Sequence, residues 1–373
     1  MAAMKKQRLR KIALRLLLLT LGVLAGMALA EMALRILGLP EIHRPPTRPD
    51  QFTFVQMNRR YLTYTNLRDE SFRFTYDSDP RGYFGPDCSV EHTTNSRGFR
   101  GQLLTSLPKR AGDFRIVFLG DSFTFGEGVH DADTYAQKTQ EILNAKETAS
   151  ARHVECYNLG VGGYNVGNCE LVLRQYVAYR GCDCVILKLD ISDMEPPLFV
   201  YEQDGDKVHF KQSPRWFQYE GSAFIEEPPE GGIQHLHTVQ LVWKAINTWR
   251  RNRAFLDYYR NLPHTEDWQK GLAALESIGQ HCRDREVPLY VLLFPLPPSN
   301  YAHYPLQAER AVLKAAAAKQ GTVIDLLPLL AQWDPRDTWV HPTDYHPNEK
   351  IHALAAEQIA EAILRDGILQ KPQ

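Results

Sequence analysis

The spacing of apolar residues changes character several times along the chain. A run from Leu16 to Ala30 holds no charge, and it lengthens to about 19 residues if Ile12 to Leu14 are added and Arg15 snorkels. Residues 40–60 then turn rich in proline and polar groups. Residues 61–110 mix aromatic and turn residues without a clear period. From residue 115 the chain settles into a repeating alternation. Arg115–Leu119 (RIVFL), Val154–Leu159, Cys184–Leu189 (CVILKL), Leu289–Phe294 and Thr322–Leu326 are short apolar runs of strand type. Between and after them lie stretches of helical period, at 134–145 (with Asp133 as the expected N-cap), 165–180, 266–283, 307–319 and 348–364. The rhythm breaks once, at 194–262, an insertion with one helical stretch near 239–259.

Five short apolar strands alternating with amphipathic helices predict a parallel sheet covered on both faces. Right-handed crossovers then give a three-layer α/β/α sandwich. The expected organisation is a tip at 1–11, a membrane-spanning segment at 12–30, a linker at 31–60, an irregular preface at 61–110, and one domain at 111–366 carrying the insertion.

The N-terminus changes the compartment. Lys5, Lys6, Arg8, Arg10, Lys11 and Arg15 precede the apolar run, which places the tip in the cytoplasm and the rest of the chain across the membrane. A spanning helix needs roughly 20 apolar residues, and MALRILGL after Glu31 would let it continue to Pro40. Ala28-Leu29-Ala30 also satisfies a signal-peptidase pattern, so the run reads as an anchor or as a signal sequence. The expected location is a single-pass cytoplasmic-membrane protein with its domain on the periplasmic or extracellular side. All six cysteines lie beyond this run, where disulfides persist. Their pairing is not legible, and none forms a CxxC.

The 373 residues carry 43 Lys and Arg against 44 Asp and Glu, for a net charge of -1. That balance argues against a nucleic-acid partner. A mean hydropathy of -0.37 excludes a multi-span membrane protein.

Ligands of such sheets sit beyond the carboxyl ends of the strands. The first strand runs into Gly120-Asp121-Ser122, which places a serine where a nucleophile is useful. The same pair could simply cap a helix. After the second strand stands Asn158-Leu159-Gly160-Val161-Gly162-Gly163. A dinucleotide fingerprint starting at Gly160 fails, because Asn165 occupies the third glycine position. Before the last helix comes Asp344-Tyr345-His346-Pro347-Asn348, in which an aspartate can fix the tautomer of a histidine. His341 is a rival base, and His352 reads as a packing residue. His235 and His237 lack a third metal ligand, as do Asp190 and Asp193. The insertion's Phe199, Tyr201, Phe210, Trp216, Phe217 and Tyr219 read as local core, or as platforms for sugar rings.

These three motifs, in this order, resemble the SGNH or GDSL hydrolase superfamily over roughly residues 90–366. The segments TNSRGFR and FRIVFLGDSFTFGEGV further resemble its membrane-anchored bacterial members. The resemblance implies a flavodoxin-like fold, hydrolysis of esters or transfer of acyl groups, often acetyl on carbohydrate, and no metal or cofactor. It makes Ser122 the nucleophile, His346 the base and Asp344 its orienting partner. The N–H groups of Ser122 and Gly163 become oxyanion donors. The family's third donor, an Asn side chain, corresponds to Ser192, and this is the one departure. The expected substrate is an acylated carbohydrate or envelope ester. A transferase, working with a membrane partner that supplies the acyl group, and a non-catalytic binding or assembly factor are the alternatives.

Overall fold

The computed structural model describes residues 2–39, 46–47, 55–58, 63–101, 109, 112–146, 152–174, 181–204, 207–212, 235–297 and 300–370. The chain divides into two units, residues 1–43 with 223–255 and residues 44–222 with 256–373.

Helix α1 spans Ala2–Leu37, so residues 31–37, expected as linker, form its last turns. Glu31 and Arg35 explain the extension, since they pair one turn apart at 2.8 Å. The stretch Arg10–Leu37, which holds an 18-residue window with a mean hydropathy of 2.2, is long and apolar enough to cross a membrane.

The preface is more regular than its sequence suggests. Strands β1 (Val55–Asn58) and β2 (Thr63–Asn66) pair antiparallel, and so do β3 (Ser71–Thr75) and β4 (Ser89–Thr93). The alternating domain follows. It begins with β5 (Phe114–Leu119), the short helix α2 (Ser122–Phe125), α3 (Tyr135–Lys146), β6 (Val154–Asn158), α4 (Val166–Val172) and β7 (Cys184–Leu189). The insertion contributes an antiparallel pair, β8 (Phe199–Asp204) with β9 (Lys207–Gln212), and helix α5 (His237–Asn261). The rhythm resumes with α6 (Glu266–Arg283), β10 (Leu289–Leu293), α7 (Gln307–Ala318), β11 (Thr322–Asp325) and α8 (Leu327–Leu330). A small hairpin of β12 (Trp339–His341) and β13 (Asp344–Pro347) leads into α9 (Glu349–Arg365).

The central sheet is parallel, in the order β11-β10-β7-β5-β6. This is the flavodoxin-like order, whose switch point lies at β5, and the domain is a three-layer α/β/α sandwich. Every residue of β5, β7 and β10 is buried, which explains why these runs are apolar except at Arg115 and Lys188. Phe114, Ile116 and Phe118 point alternately from β5 into a core shared with Tyr135 and Leu143 of α3 and with Ala355, Ile359 and Ile363 of α9. Helices α4 and α6 pack together in the other layer.

The helix ends follow the sequence closely, with one shift. The N–H of Gln137 at the start of α3 is accepted by Thr134, and the expected cap Asp133 instead binds Lys138 at 2.8 Å. Tyr83 donates to Asp133 as well. All six cysteines are free thiols. Burial pushes the Cys182 thiol up to about 12 and that of Cys282 to about 11.

His352 packs inside the sandwich, as its sequence position suggests. Its Nδ1 accepts the N–H of Tyr135 at 3.0 Å, and burial pushes its pKa down to about 3. The folded form therefore binds fewer protons here than the unfolded chain. Stability is retained above the ordinary histidine value near 6.5 and is lost as pH falls from there toward 3. Substituting His352→Asn, which retains an acceptor for Tyr135, should flatten the stability-against-pH curve between those limits by up to about 1.4 kcal/mol per pH unit. Urea titrations across that range measure the slope.

Candidate active site

Three loops at the carboxyl ends of the strands bring the motifs together. The Gly120 turn after β5 places Ser122 in the first turn of α2, where Asp121 Oδ1 accepts the N–H of Phe123 at 2.9 Å. The β12–β13 hairpin carries Asp344 and His346. His346 Nε2 lies 2.8 Å from Ser122 Oγ. Its Nδ1 lies 2.5 Å from Asp344 Oδ1, and its backbone N–H donates to the same oxygen at 3.3 Å. With the imidazole proton on Nδ1, Nε2 is left to accept the serine proton. The Asp344 side chain is 1% exposed and that of His346 is 18%. Asn348, the last residue of this motif, accepts from the N–H groups of Lys350 and Ile351 and so starts α9.

The β6 turn supplies the second group. Asn158 donates to Thr124 O at 2.6 Å and accepts from Gly160 N at 3.0 Å, while Val161 N donates to Gly120 O at 3.2 Å. The turn after β6 is thus bound to the serine turn. Gly163 has φ 76°, and a Cβ there would come within 2.5 Å of Leu198. Both the backbone and the space at this position require glycine.

The third group differs from the family pattern. Ser192 Oγ donates to Asp190 Oδ1 at 2.6 Å, and Ser192 N donates to the same oxygen at 2.6 Å. The hydroxyl proton is engaged by its neighbour.

Beneath the site lies a group that the sequence reading passed over. Lys188, on β7, is fully buried, with Nζ 2.9 Å from Asp121, 2.7 Å from Asp190 and 3.1 Å from Asp193. It also sits 4.4 Å over the Phe123 ring. These carboxylates have oxygens close enough together to hold a metal ion, but the ammonium stands among them. Burial alone would depress Lys188, yet Asp121, Asp190 and Asp193 outweigh it and hold its pKa well above normal. Burial and repulsion from Asp190 and Asp121 push Asp193 up, whereas Lys188 and Ser192 overcome burial to keep Asp190 low. A lysine in an otherwise apolar strand was the available signal.

Two further neighbours were not anticipated. Glu127, just after α2, has a carboxylate oxygen 3.6 Å from His346 Nε2, and its other oxygen would meet a Cβ on Gly162 at 2.8 Å. Tyr76, from the preface, donates to Asp344 Oδ2 at 2.9 Å. The rival base His341 faces away from the serine, toward Ser78 and Thr343. His237 Nδ1 lies 2.7 Å from Leu39 O, and its N–H donates to Glu31 at the start of α5. Phe199 stacks edge-on against Tyr64 at 5.0 Å. Tyr201 and Phe210 lie on the β8–β9 pair, and Trp216, Phe217 and Tyr219 fall outside the described residues.

The serine turn, the glycine turn and the histidine hairpin thus meet beyond the carboxyl ends of the sheet strands. The chain belongs to the GDSL-like lipase/acylhydrolase family, whose profile matches residues 118–354, more than half its length. No curated protein matches it. Among solved structures it is similar to the lipase/acylhydrolase of Enterococcus faecalis, at 13% identity over 68% of this chain and 96% of that one, with a TM-score of 0.38. Esterase EstA of Pseudoalteromonas sp. is 10% identical over 67% of this chain and 97% of its own, with a TM-score of 0.38. An acetylxylan esterase of Geobacillus stearothermophilus, Axe2, is 15% identical over 68% and 93%, with a TM-score of 0.39.

Lys188→Met should destabilise the protein by about 3–5 kcal/mol, because it leaves buried carboxylates unpaired. Equilibrium unfolding in urea measures this. Ser192→Asn should raise turnover of a small acetyl ester by roughly tenfold or more, toward the worth of one oxyanion donor. A fall in steady-state kcat would show that the bond to Asp190 matters more at this position.

Proposed function

We propose that this GDSL-family chain is a serine esterase that removes acyl groups, acetyl above all, from an O-acylated carbohydrate or envelope ester. The observation that carries the reading is the unbroken line from Ser122 Oγ through His346 to Asp344, at 2.8 and 2.5 Å. In this reading Ser122 attacks the ester carbonyl while His346 takes its proton. The backbone N–H groups of Ser122 and Gly163 hold the oxyanion, and His346 returns the proton to the departing alcohol. Water then attacks the acyl-serine as His346 takes its proton, and the acid leaves as His346 returns that proton to Ser122 Oγ. Glu127 supports a hydroxyl-rich alcohol, because its carboxylate flanks the nitrogen that hands over the proton and can accept hydrogen bonds from neighbouring hydroxyls. The chemistry needs no cofactor.

The apolar helix supports attachment to a membrane, with α1 retained rather than cleaved. It continues without a break past Ala30 to Leu37, and Glu31, the first residue after the cleavage pattern, accepts from the N–H groups of His237 and Thr238. The basic tip supports a cytoplasmic N-terminus.

A fluorophosphonate probe on the detergent-solubilised full chain should label Ser122, and Ser122→Ala should abolish the label. Hydrolysis of p-nitrophenyl acetate should fall at least roughly 10⁴-fold in Ser122→Ala and His346→Ala. A folded wild-type chain that takes no label would favour a binding module over an enzyme. Acetyl transfer to an added sugar at the expense of hydrolysis would favour a transferase.

A further inference from the structure

We propose that Tyr76, in the preface and outside the segment matched by the family, is a positioning residue of the acyl-transfer machinery, fixing Asp344 so that Asp344 fixes His346. The proposal rests on Ser122, His346 and Asp344 acting as described above.

A carboxylate that binds an imidazole through one oxygen can still swing about its own Cβ–Cγ bond. Asp344 has both oxygens engaged. Oδ1 faces His346 Nδ1 at 2.5 Å, and Oδ2 accepts the Tyr76 hydroxyl at 2.9 Å. The tyrosine is itself held. It is 4% exposed, its N–H donates to Cys88 O at 2.9 Å, and its ring stacks on Phe84 at 4.5 Å and 4°. Gly128 leaves room for the contact. At φ 79° it adopts a conformation that suits glycine, and a Cβ there would lie 2.8 Å from the Tyr76 hydroxyl. A site residue supported in this way by packed and bonded neighbours keeps its productive geometry.

The same stretch of preface grips the loop on the nucleophile's side. Arg100 donates to Phe125 O, Gly126 O and Val129 O, and His92 Nε2 accepts the N–H of Gly128 at 2.9 Å. Residues upstream of the family core therefore hold two of the catalytic elements, the loop after Ser122 and the hairpin of His346.

The tyrosine also has an electrostatic effect. Its hydroxyl draws on the charge of Asp344, which moderates the pull of that charge on the imidazole proton. The other charged and titratable groups around the pair are Glu127 beside Nε2, Asp77 and His341 behind Tyr76, the Arg81–Glu349 ion pair, His352 on α9, and Lys188 beneath Phe123. Tyr76→Phe leaves each of them in place and keeps the stacked ring.

The test measures kcat, KM and the pH dependence of kcat/KM on p-nitrophenyl acetate for the solubilised full chain. Tyr76→Phe should lower kcat roughly ten- to a hundredfold, the worth of a hydrogen bond to a charged group, with little change in KM. Its acid limb should move to higher pH, because the fuller charge on Asp344 retains the His346 proton longer. Fluorotyrosine at position 76, a stronger donor that preserves the shape, should move the acid limb to lower pH. A fall in kcat with the acid limb unmoved in both variants would reduce Tyr76 to a packing residue and overturn the proposal, as would wild-type kcat in Tyr76→Phe. A wild-type chain that neither hydrolyses the ester nor labels with fluorophosphonate would remove the proposed function and this inference together. An active wild type with an unmoved limb removes only this one.

Discussion

The buried ammonium of Lys188 is the constraint on which the site depends. An isolated charge inside a sheet would cost many kcal/mol, and the cost is offset only because three carboxylates converge on it. Asp121 spends one oxygen on Lys188 and the other on the N–H of Phe123, so the ion cluster sets the first turn of α2 and with it Ser122. Asp190 divides itself the same way, between Lys188 and the N–H and hydroxyl of Ser192. Asp193 closes the group by binding Lys188 and Asp190 N. The turns after β5 and β7 are thus locked to one another through charge. Breaking such a cluster is more costly than never having built it, and this favours a single arrangement of the loops.

The second source of order lies outside the alternating domain. The family profile matches from residue 118, yet the loops of the site lean on residues before it. Tyr64 donates to Gly162 O at 3.2 Å, Tyr164 donates to Tyr64 O at 2.5 Å, and Asn168 binds Thr63 at 2.9 Å. The glycine turn is therefore backed by β2 and the hairpin of His346 by the end of β3. The bare sandwich brings the strands' ends together, and the preface fixes what projects from them. A domain cut at the family boundary would expose buried tyrosines and leave Arg100's three carbonyl partners without their donor.

The sandwich was legible in the sequence because two-sided burial writes itself as nearly continuous apolar runs, and CVILKL coincides with β7 residue for residue. The motif serine, aspartate and histidine were legible because each stands at a strand end or beside a helix start, where local rules hold. The preface strands were not, since a two-stranded pair such as β3–β4 buries its residues unevenly and has no period to detect. Nor was the role of Lys188, although a lone cation inside an apolar strand announces a partner; that its partners sit 2 and 5 residues ahead and 67 behind is a matter of topology. Tyr76 lies 268 residues from Asp344 and carries no local mark at all.

Ser192 gives this arrangement its chemical character. A serine whose proton is engaged by Asp190 would, in the proposed mechanism, leave a developing oxyanion to backbone amides, which are fixed in place and carry no net charge. Around them stand the carboxylates of Asp121, Asp190, Asp193, Asp344 and Glu127, with the Lys188 ammonium set among Asp121, Asp190 and Asp193. Under the proposed mechanism, carboxylates on both sides of His346 would favour the imidazolium formed as Ser122 attacks and would oppose negative charge on the ester oxygen. Under the same proposal, a carboxylated or phosphorylated ester would add repulsion where the Asn donor that the resemblance implies is replaced by Ser192. If the proposed function holds, neutral acyl groups on neutral alcohols fit this geometry best, and the carboxylate of Glu127 beside His346 would give their hydroxyls an acceptor.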